Sequence, residues 1–119
     1  YFYYPAQAVG EKGLAETAKK LGLGKTLGID IPGEVSGLIP GSDWKEKNLG
    51  EVWFPGDTLH MSIGQGFVLA TPLQILNLTS SVASMGKQYQ PHLALNITES
   101  DGSLVKEFEK SPGDLGFKR

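Results

Sequence analysis

Two segments place a serine and a lysine three residues apart, the spacing at which a helix sets a nucleophile and a base on one face: Ser42-Asp43-Trp44-Lys45 and Ser84-Met85-Gly86-Lys87. Such a pair would serve acyl transfer through a covalent serine intermediate. The second segment fails on local grounds, because Gly86 breaks the turn that would bring Lys87 back to Ser84. In the first, Ser42 reads as the N-cap of a short helix running through Asn48, and Lys45 as a solvated side chain. Other near-motifs fail on context. Gly24-Lys25-Thr26 ends like a phosphate-binding loop, but the first glycine would fall at Lys19, and the order is helix, loop, strand, the reverse of what phosphate cradling needs. Gly64-Gln65-Gly66 lacks the third glycine of a dinucleotide fingerprint, since Leu69 stands there. His60 and His92 are far apart and form no metal-ligand pair, and Glu99 with Asp101 reads as turn chemistry. The sequons at Asn77 and Asn96 fall in an expected helix and an expected strand, and read as chance matches.

The elements that would position these groups centre on Gly56 to Gly86. Leu59, Met61 and Ile63 alternate with polar neighbours, which predicts an extended segment with one buried face. Gly64, Gln65 and Gly66 then form a glycine knot that permits a tight turn or a close approach of backbones. Thr71 is an N-cap, Pro72 the first helical residue and Gln74 the partner in a capping box, with Ala70 and Ile75 as the accompanying staple. Ile75, Leu76, Leu78, Val82 and Met85 give this helix a broad apolar side that needs covering, and Gly86 ends it at the C′ position.

Around that centre, Tyr1 to Ala8 is an aromatic helical segment, and Leu14, Ala18 and Leu21 mark an amphipathic helix stopped by Gly22 and Gly24. Leu27, Ile29 and Ile31 predict a short strand before the Pro32-Gly33 turn, and Val35 to Ile39 a second extended piece. Leu93, Leu95 and Ile97, the Ser100 to Ser103 turn and Leu104 to Phe108 make a β-hairpin. Ser111 to Arg119 shows no periodicity and reads as loop. Helices and strands mix without regular βαβ alternation, so the fold class is α+β.

At 119 residues and 39% hydrophobic content the chain is one domain or less. A net charge of -2 gives no basic footprint for nucleic acid or an anionic membrane surface. No stretch is apolar enough to cross a membrane, and the absence of cysteine rules out disulfides and thiolate zinc sites. The chain starts in an aromatic run at Tyr1, as an excerpt of a longer protein would.

Several words occur in a specific order: Gly28-Ile29-Asp30-Ile31-Pro32-Gly33-Glu34, Ser36-Gly37-Leu38-Ile39-Pro40, Trp44, Trp53, Gly56-Asp57-Thr58, Ser62-Ile63-Gly64-Gln65-Gly66, Thr71-Pro72-Leu73-Gln74 and Pro91-His92-Leu93. In order and spacing the chain resembles the transpeptidase domain of class B penicillin-binding proteins, and within them the elongation type, penicillin-binding protein 2. The resemblance implies a partial penicillin-binding, serine β-lactamase-like domain, with residues 1–119 its central fragment. The family's S-x-x-K, S-x-N and K-[ST]-G motifs would lie outside it. The S-x-N would end just before Tyr1, and Lys25-Thr26-Leu27-Gly28 is not the K-[ST]-G, having an inserted leucine.

By that resemblance the parent is a peptidoglycan D,D-transpeptidase that cross-links stem peptides through a serine acyl-enzyme during cell elongation, binds β-lactams and needs no cofactor. It would be membrane-anchored on the extracytoplasmic face and work with a glycosyltransferase membrane partner. No catalytic residue carries over to this chain. Gly64, Gln65 and Gly66 are its site-supporting candidates, while Ser62, Ser80, Ser81 and Ser84 are not nucleophiles. The isolated piece is expected to be inactive and, with its apolar faces uncovered, to self-associate. The alternative is a non-catalytic binding or interaction module that keeps the transpeptidase scaffold.

Overall fold

The computed structural model describes residues 1–108 and 112–116. Its elements, in chain order, are the helices α1 (Tyr3–Lys20), α2 (Ser42–Leu49), α3 (Pro55–Ser62) and α4 (Pro72–Ala83), then the strands β1 (Lys87–Gln88), β2 (Asn96–Thr98), β3 (Leu104–Glu107) and β4 (Gly113–Asp114). The two helical segments expected at the N-terminus are one element with a kink at Gly10, where φ is 72° and ψ 170°. Its second half lies across α3. A small core of Ala15, Ile39 and Met61 forms there, flanked by Leu14, Ala18, Leu23, Trp53 and Val68.

The hairpin expected between Leu93 and Phe108 is present, with Asn96 opposite Glu107, Ile97 opposite Lys106 and an irregularity before Thr98. Its turn is held by Asp101, whose carboxylate accepts from both the N–H and the hydroxyl of Ser103. The tail read as loop contributes a strand instead: Gly113 and Asp114 pair antiparallel with Gln88 and Lys87. Ser111 and residues 117–119 of that tail lie outside the described residues.

Three local expectations are corrected. Leu59 to Ile63 is not extended: Leu59 to Ser62 is the second half of α3 and Ile63 its C-cap. Pro55 occupies the first turn and the Asp57 carboxylate accepts the Phe54 N–H at 2.8 Å, so capping overrides an alternation in which Met61 alone is buried. Leu27 to Ile31 and Val35 to Ile39 form no regular strands, apart from a single antiparallel bridge between Leu38 and Leu69. Gly37 makes that bridge possible, because a side chain there would overlap the Leu69 carbonyl. Finally, the capping position of α2 is Gly41, not Ser42. The carboxylate of Glu11, on α1, accepts the Ser42 N–H across the interface and supplies the cap.

Helix α4 begins as its sequence dictates. Thr71 Oγ1 accepts the Gln74 N–H at 3.1 Å and Gln74 Oε1 accepts the Thr71 N–H at 3.0 Å. The two staple residues, Ala70 and Ile75, are both exposed. Its C-terminus departs from expectation: Met85, not Gly86, sits at C′ with φ 58°, and the bonds Met85 N–H to Val82 O and Gly86 N–H to Ser81 O complete a Schellman motif. The faces are inverted as well. Gln74, Asn77 and Ser81 are buried, whereas Ile75, Leu76 and Val82 are exposed, Leu76 to 66%. Gln74 can face inward because its amide meets backbone carbonyls of irregular segments, and Ser81 because its hydroxyl donates to Asn77 O within the helix. Gln74, with 0% exposure, donates from Nε2 to Lys25 O and Ser36 O, both at 2.7 Å.

Lys45 is the other inward polar group, and its side chain is only 3% exposed instead of solvated. Its Nζ lies 2.8 Å from Asp57 Oδ2 and 3.4 Å from Glu51 Oε2, joining α2 to the start of α3. The hydrogen bond to Asp57 raises the Lys45 pKa above its ordinary 10.5, against the opposing effect of burial. For Asp57 burial acts upward, but the Lys45 bond, the Phe54 N–H and the Lys45 charge outweigh it and hold the carboxyl below 3.8.

Gln74→Ala leaves two carbonyls and the Thr71 N–H without partners and is expected to lower stability by about 1–3 kcal/mol, read from the urea denaturation midpoint. Thr71→Ala, which removes only the cap, costs about 1 kcal/mol. The Lys45–Asp57 pair predicts a plateau in stability. Asp57, with its folded pKa depressed, contributes fully above 3.8 and loses that contribution as pH falls through the still lower folded value. Lys45, with its folded pKa raised, contributes fully below 10.5 and loses it as pH climbs through the higher folded value. Asp57→Asn should flatten the acid limb of a denaturation series without abolishing it, because Asp30 and Glu34 are depressed too.

Candidate functional site

The turn after α3 is built from the backbone. Gly64 N–H donates to Met61 O at 3.0 Å and Gln65 N–H to His60 O at 2.9 Å, closing the helix end. Gly64 and Gly66 hold φ of 71° and 72°, a region that penalises a Cβ. Close approach is not the reason for glycine: a Cβ on Gly64 would have no neighbour within 4 Å, and one on Gly66 would meet only His60 Cβ at 3.4 Å. All three turn residues are exposed. Beside the turn lies a shallow, largely apolar groove of about 170 Å³ between the first half of α1 and the end of α3, lined by Phe2, Pro5, Ala6, Val9, Leu14 and Ser62.

Three of the serines singled out in the sequence bond to backbone carbonyls, and Lys45 bonds to carboxylates. Ser62 Oγ donates to Leu59 O at 2.7 Å, Ser81 Oγ to Asn77 O at 2.8 Å and Ser84 Oγ to Ser80 O and Lys87 O. Ser84 thus reaches the backbone of Lys87, not its amine. In the other segment Lys45 is held by carboxylates that favour its protonated form, so it cannot take a proton from Ser42. Lys25 supplies a carbonyl to Gln74, which places Gly24-Lys25-Thr26 in a structural loop.

The residues that sequence reasoning passed over are the carboxylates and amides of the recurring words. Glu34 accepts the N–H groups of Leu27 and Gly28, closing the Gly28 to Glu34 segment on itself. Asp30 accepts the N–H groups of Leu93 and Ala94, both at 2.8 Å, and Gln90 Nε2 donates to Gly28 O at 2.6 Å. Two distant words are therefore clipped together. The Ala94 and Leu93 bonds hold the Asp30 carboxyl below its ordinary range, and the Leu27 bond does the same for Glu34 against a smaller effect of burial. In the Gly56 to Thr58 word, Asp57 caps α3 and Thr58 Oγ1 accepts from Trp53 Nε1 at 2.8 Å. His92 Nδ1 lies 2.7 Å from Ala94 O, within the clip. The signal that could have found these groups is an isolated acid beside glycine in a loop, where unpaired amides need an acceptor.

What this arrangement does chemically is to fix backbone. Many of its polar side chains are spent on amides and carbonyls, and the glycine turn with its groove is one of the surfaces left open, beside larger hollows at Lys25 to Leu27 with Gln88 to Gln90 and between α1 and the start of α2.

Residues 1–118 match the penicillin-binding protein transpeptidase domain. Among curated relatives, the chain is 35% identical over 111 residues to the peptidoglycan D,D-transpeptidase MrdA of Salmonella typhimurium, covering 93% of this chain and 18% of that protein. The Haemophilus influenzae MrdA is 37% identical over 109 residues, covering 92% and 16%. The chain thus spans under a fifth of the length of these relatives. Among solved structures, penicillin-binding protein 2 of Pseudomonas aeruginosa superposes with a TM-score of 0.81 at 35% identity, over 100% of this chain and 26% of that one. Penicillin-binding protein 2 of Helicobacter pylori, in complex with MreC, gives 0.77 at 42% identity over 81% and 18%. With the word order, the partial α+β fold and these likenesses in agreement, the chain belongs to the penicillin-binding protein transpeptidase domain family, with MrdA and penicillin-binding protein 2 among its relatives.

Proposed function

We propose that residues 1–119 are the central, scaffold section of a peptidoglycan D,D-transpeptidase. In the complete enzyme a serine outside this chain attacks the D-Ala-D-Ala amide of a stem peptide, expels the terminal D-alanine to form an acyl-enzyme, and is freed when the acyl group passes to an amine on a neighbouring stem. β-Lactams acylate the same serine. The observation that supports this reading most is the fate of the polar groups: Ser62, Ser81 and Ser84 donate to carbonyls of their own helices, and Lys45 is tied to carboxylates. No nucleophile–base pair forms among the described residues, while the exposed Gly64 to Gly66 turn closes α3 through backbone hydrogen bonds at positive φ. On this reading the turn borders the acylated serine and supplies backbone to the site.

The relatives support the setting. Penicillin-binding protein 2 of Helicobacter pylori has been solved with MreC, and a further similar structure, 34% identical with a TM-score of 0.79, is of a peptidoglycan synthase complex coordinating polymerization and crosslinking. By the same reading the parent enzyme acts in cell elongation at the extracytoplasmic face of the membrane, beside a glycosyltransferase partner. Its membrane anchor would lie outside these residues, where among the described residues no helix is long and apolar enough to span a bilayer.

A fluorescent penicillin is expected to label the complete polypeptide covalently, and to lose that label when the serine of its S-x-x-K motif is changed to alanine. The 119-residue chain alone should stay unlabelled. Stoichiometric labelling of the isolated chain would contradict the scaffold reading, and a complete polypeptide that lacks the three motifs and never labels would favour a non-catalytic module. Gly64→Val or Gly66→Val in the complete enzyme should slow acylation by about tenfold or more, since the turn would have to leave its left-handed conformation.

A further inference from the structure

We propose that Lys45 is the positioning residue for the Gly64 to Gly66 turn, gripping it from both ends: through Asp57 at the start of α3 and through the Phe67 ring directly after Gly66. The inference rests on the transpeptidase reading above and adds a residue in a region with no assigned part in the chemistry.

The geometry carries it. The turn has few packing neighbours of its own, as the open space around Gly64 shows, so its place is set by what enters and what leaves it. What enters is α3, whose first turn is fixed by Asp57. That carboxylate accepts the Phe54 N–H at 2.8 Å and Lys45 Nζ at 2.8 Å through the same oxygen. What leaves is Phe67. The Lys45 ammonium lies 6.0 Å from the centre of its ring and 4.6 Å from that of Phe54, within reach of the cation–π attraction. Trp44, the neighbour of Lys45 on α2, packs on Phe67 with ring centres 5.4 Å apart and planes tilted by 50°. One short helix therefore holds both flanks, and the charge lies between two rings and two carboxylates with its side chain buried. A lysine needed only for solubility would stand in water. A structural ion pair would not need the second contact across the turn.

Acylation of the complete enzyme by a fluorescent penicillin tests this, with thermal stability measured alongside. Lys45→Met keeps the stem and removes the charge, and should slow acylation by about 10- to 100-fold, the scale of a small misplacement at a site. Lys45→Arg should recover part of the rate. Thr71→Ala, which loses a cap on α4 and leaves both flanks of the turn intact, serves as the stability control and should stay within about twofold of wild type. Equal rates for Lys45→Met and Thr71→Ala at matched stability would overturn the proposal. If Lys45→Met does not fold, Phe67→Leu decides: it preserves the ion pair, should slow acylation, and overturns the proposal if it does not. Backbone amide resonances of Gly64, Gln65 and Gly66 provide a readout independent of catalysis. They should shift in Lys45→Met, or in Phe67→Leu if Lys45→Met does not fold, and not in Thr71→Ala, and their failure to shift refutes the role of Lys45 even if the wild-type enzyme is never acylated, which would refute only the transpeptidase reading.

Discussion

The side-chain amide of Gln74 is the constraint around which the rest of this structure is arranged. Fully buried, it accepts from Thr71 and donates to Lys25 and Ser36, so a single group ends one segment, starts a helix and fastens two loops that have no ladder of their own. Each bond is worth only about 1 kcal/mol net, but leaving a buried partner unmet costs more than making the bond gains. Removing the amide therefore costs more than its bonds contribute one by one. The Leu38–Leu69 bridge and the narrow space at Gly37 sit directly beside it.

The same economy recurs through the chain. Asp30 and Glu34 each take two backbone N–H groups, Glu11 caps a helix it does not belong to, and Lys45 ties α2 to α3. Apolar burial contributes comparatively little, since among the described residues the buried hydrophobic side chains are Ala6, Ala15, Ile39 and Met61. Helix α4 shows the consequence most plainly. Its polar stripe faces this scaffold and its apolar stripe faces out, the opposite of a helix on the surface of a self-contained domain. The molecule is extended to match, with a radius of gyration of 18.1 Å against about 13.5 Å for a compact domain of this length.

Local signals were legible where the backbone decides alone. Thr71, Pro72 and Gln74 announce α4, Ser100 to Ser103 announce the hairpin turn, and Gly64 with Gly66 announce positive φ. What stayed hidden depends on partners distant in sequence. Lys45 looks solvated until Asp57 arrives and Ser42 looks like a cap until Glu11 supplies one, whereas the alternation of Leu59 to Ile63 mimics a strand although Pro55 and Asp57 mark a helix start locally. Similarly, Met85 takes the left-handed C′ position although Gly86 follows it. The family was legible from the order of its words, whereas the reason for those words, acids placed to catch loop amides, required the fold. The positive φ at Gly64 and Gly66 could be expected from glycine, whereas the burial of Lys45 near their flanks could not.

The central claim is that these residues shape a site whose nucleophile lies outside them. A crystal structure of the complete polypeptide after reaction with a penicillin tests it most directly. The account predicts the acyl group on a serine outside residues 1–119, the Gly64 to Gly66 turn bordering the adduct, and the Gln74 bonds to Lys25, Ser36 and Thr71 intact. An adduct on any serine of this chain, or a turn remote from the acyl group, would contradict it.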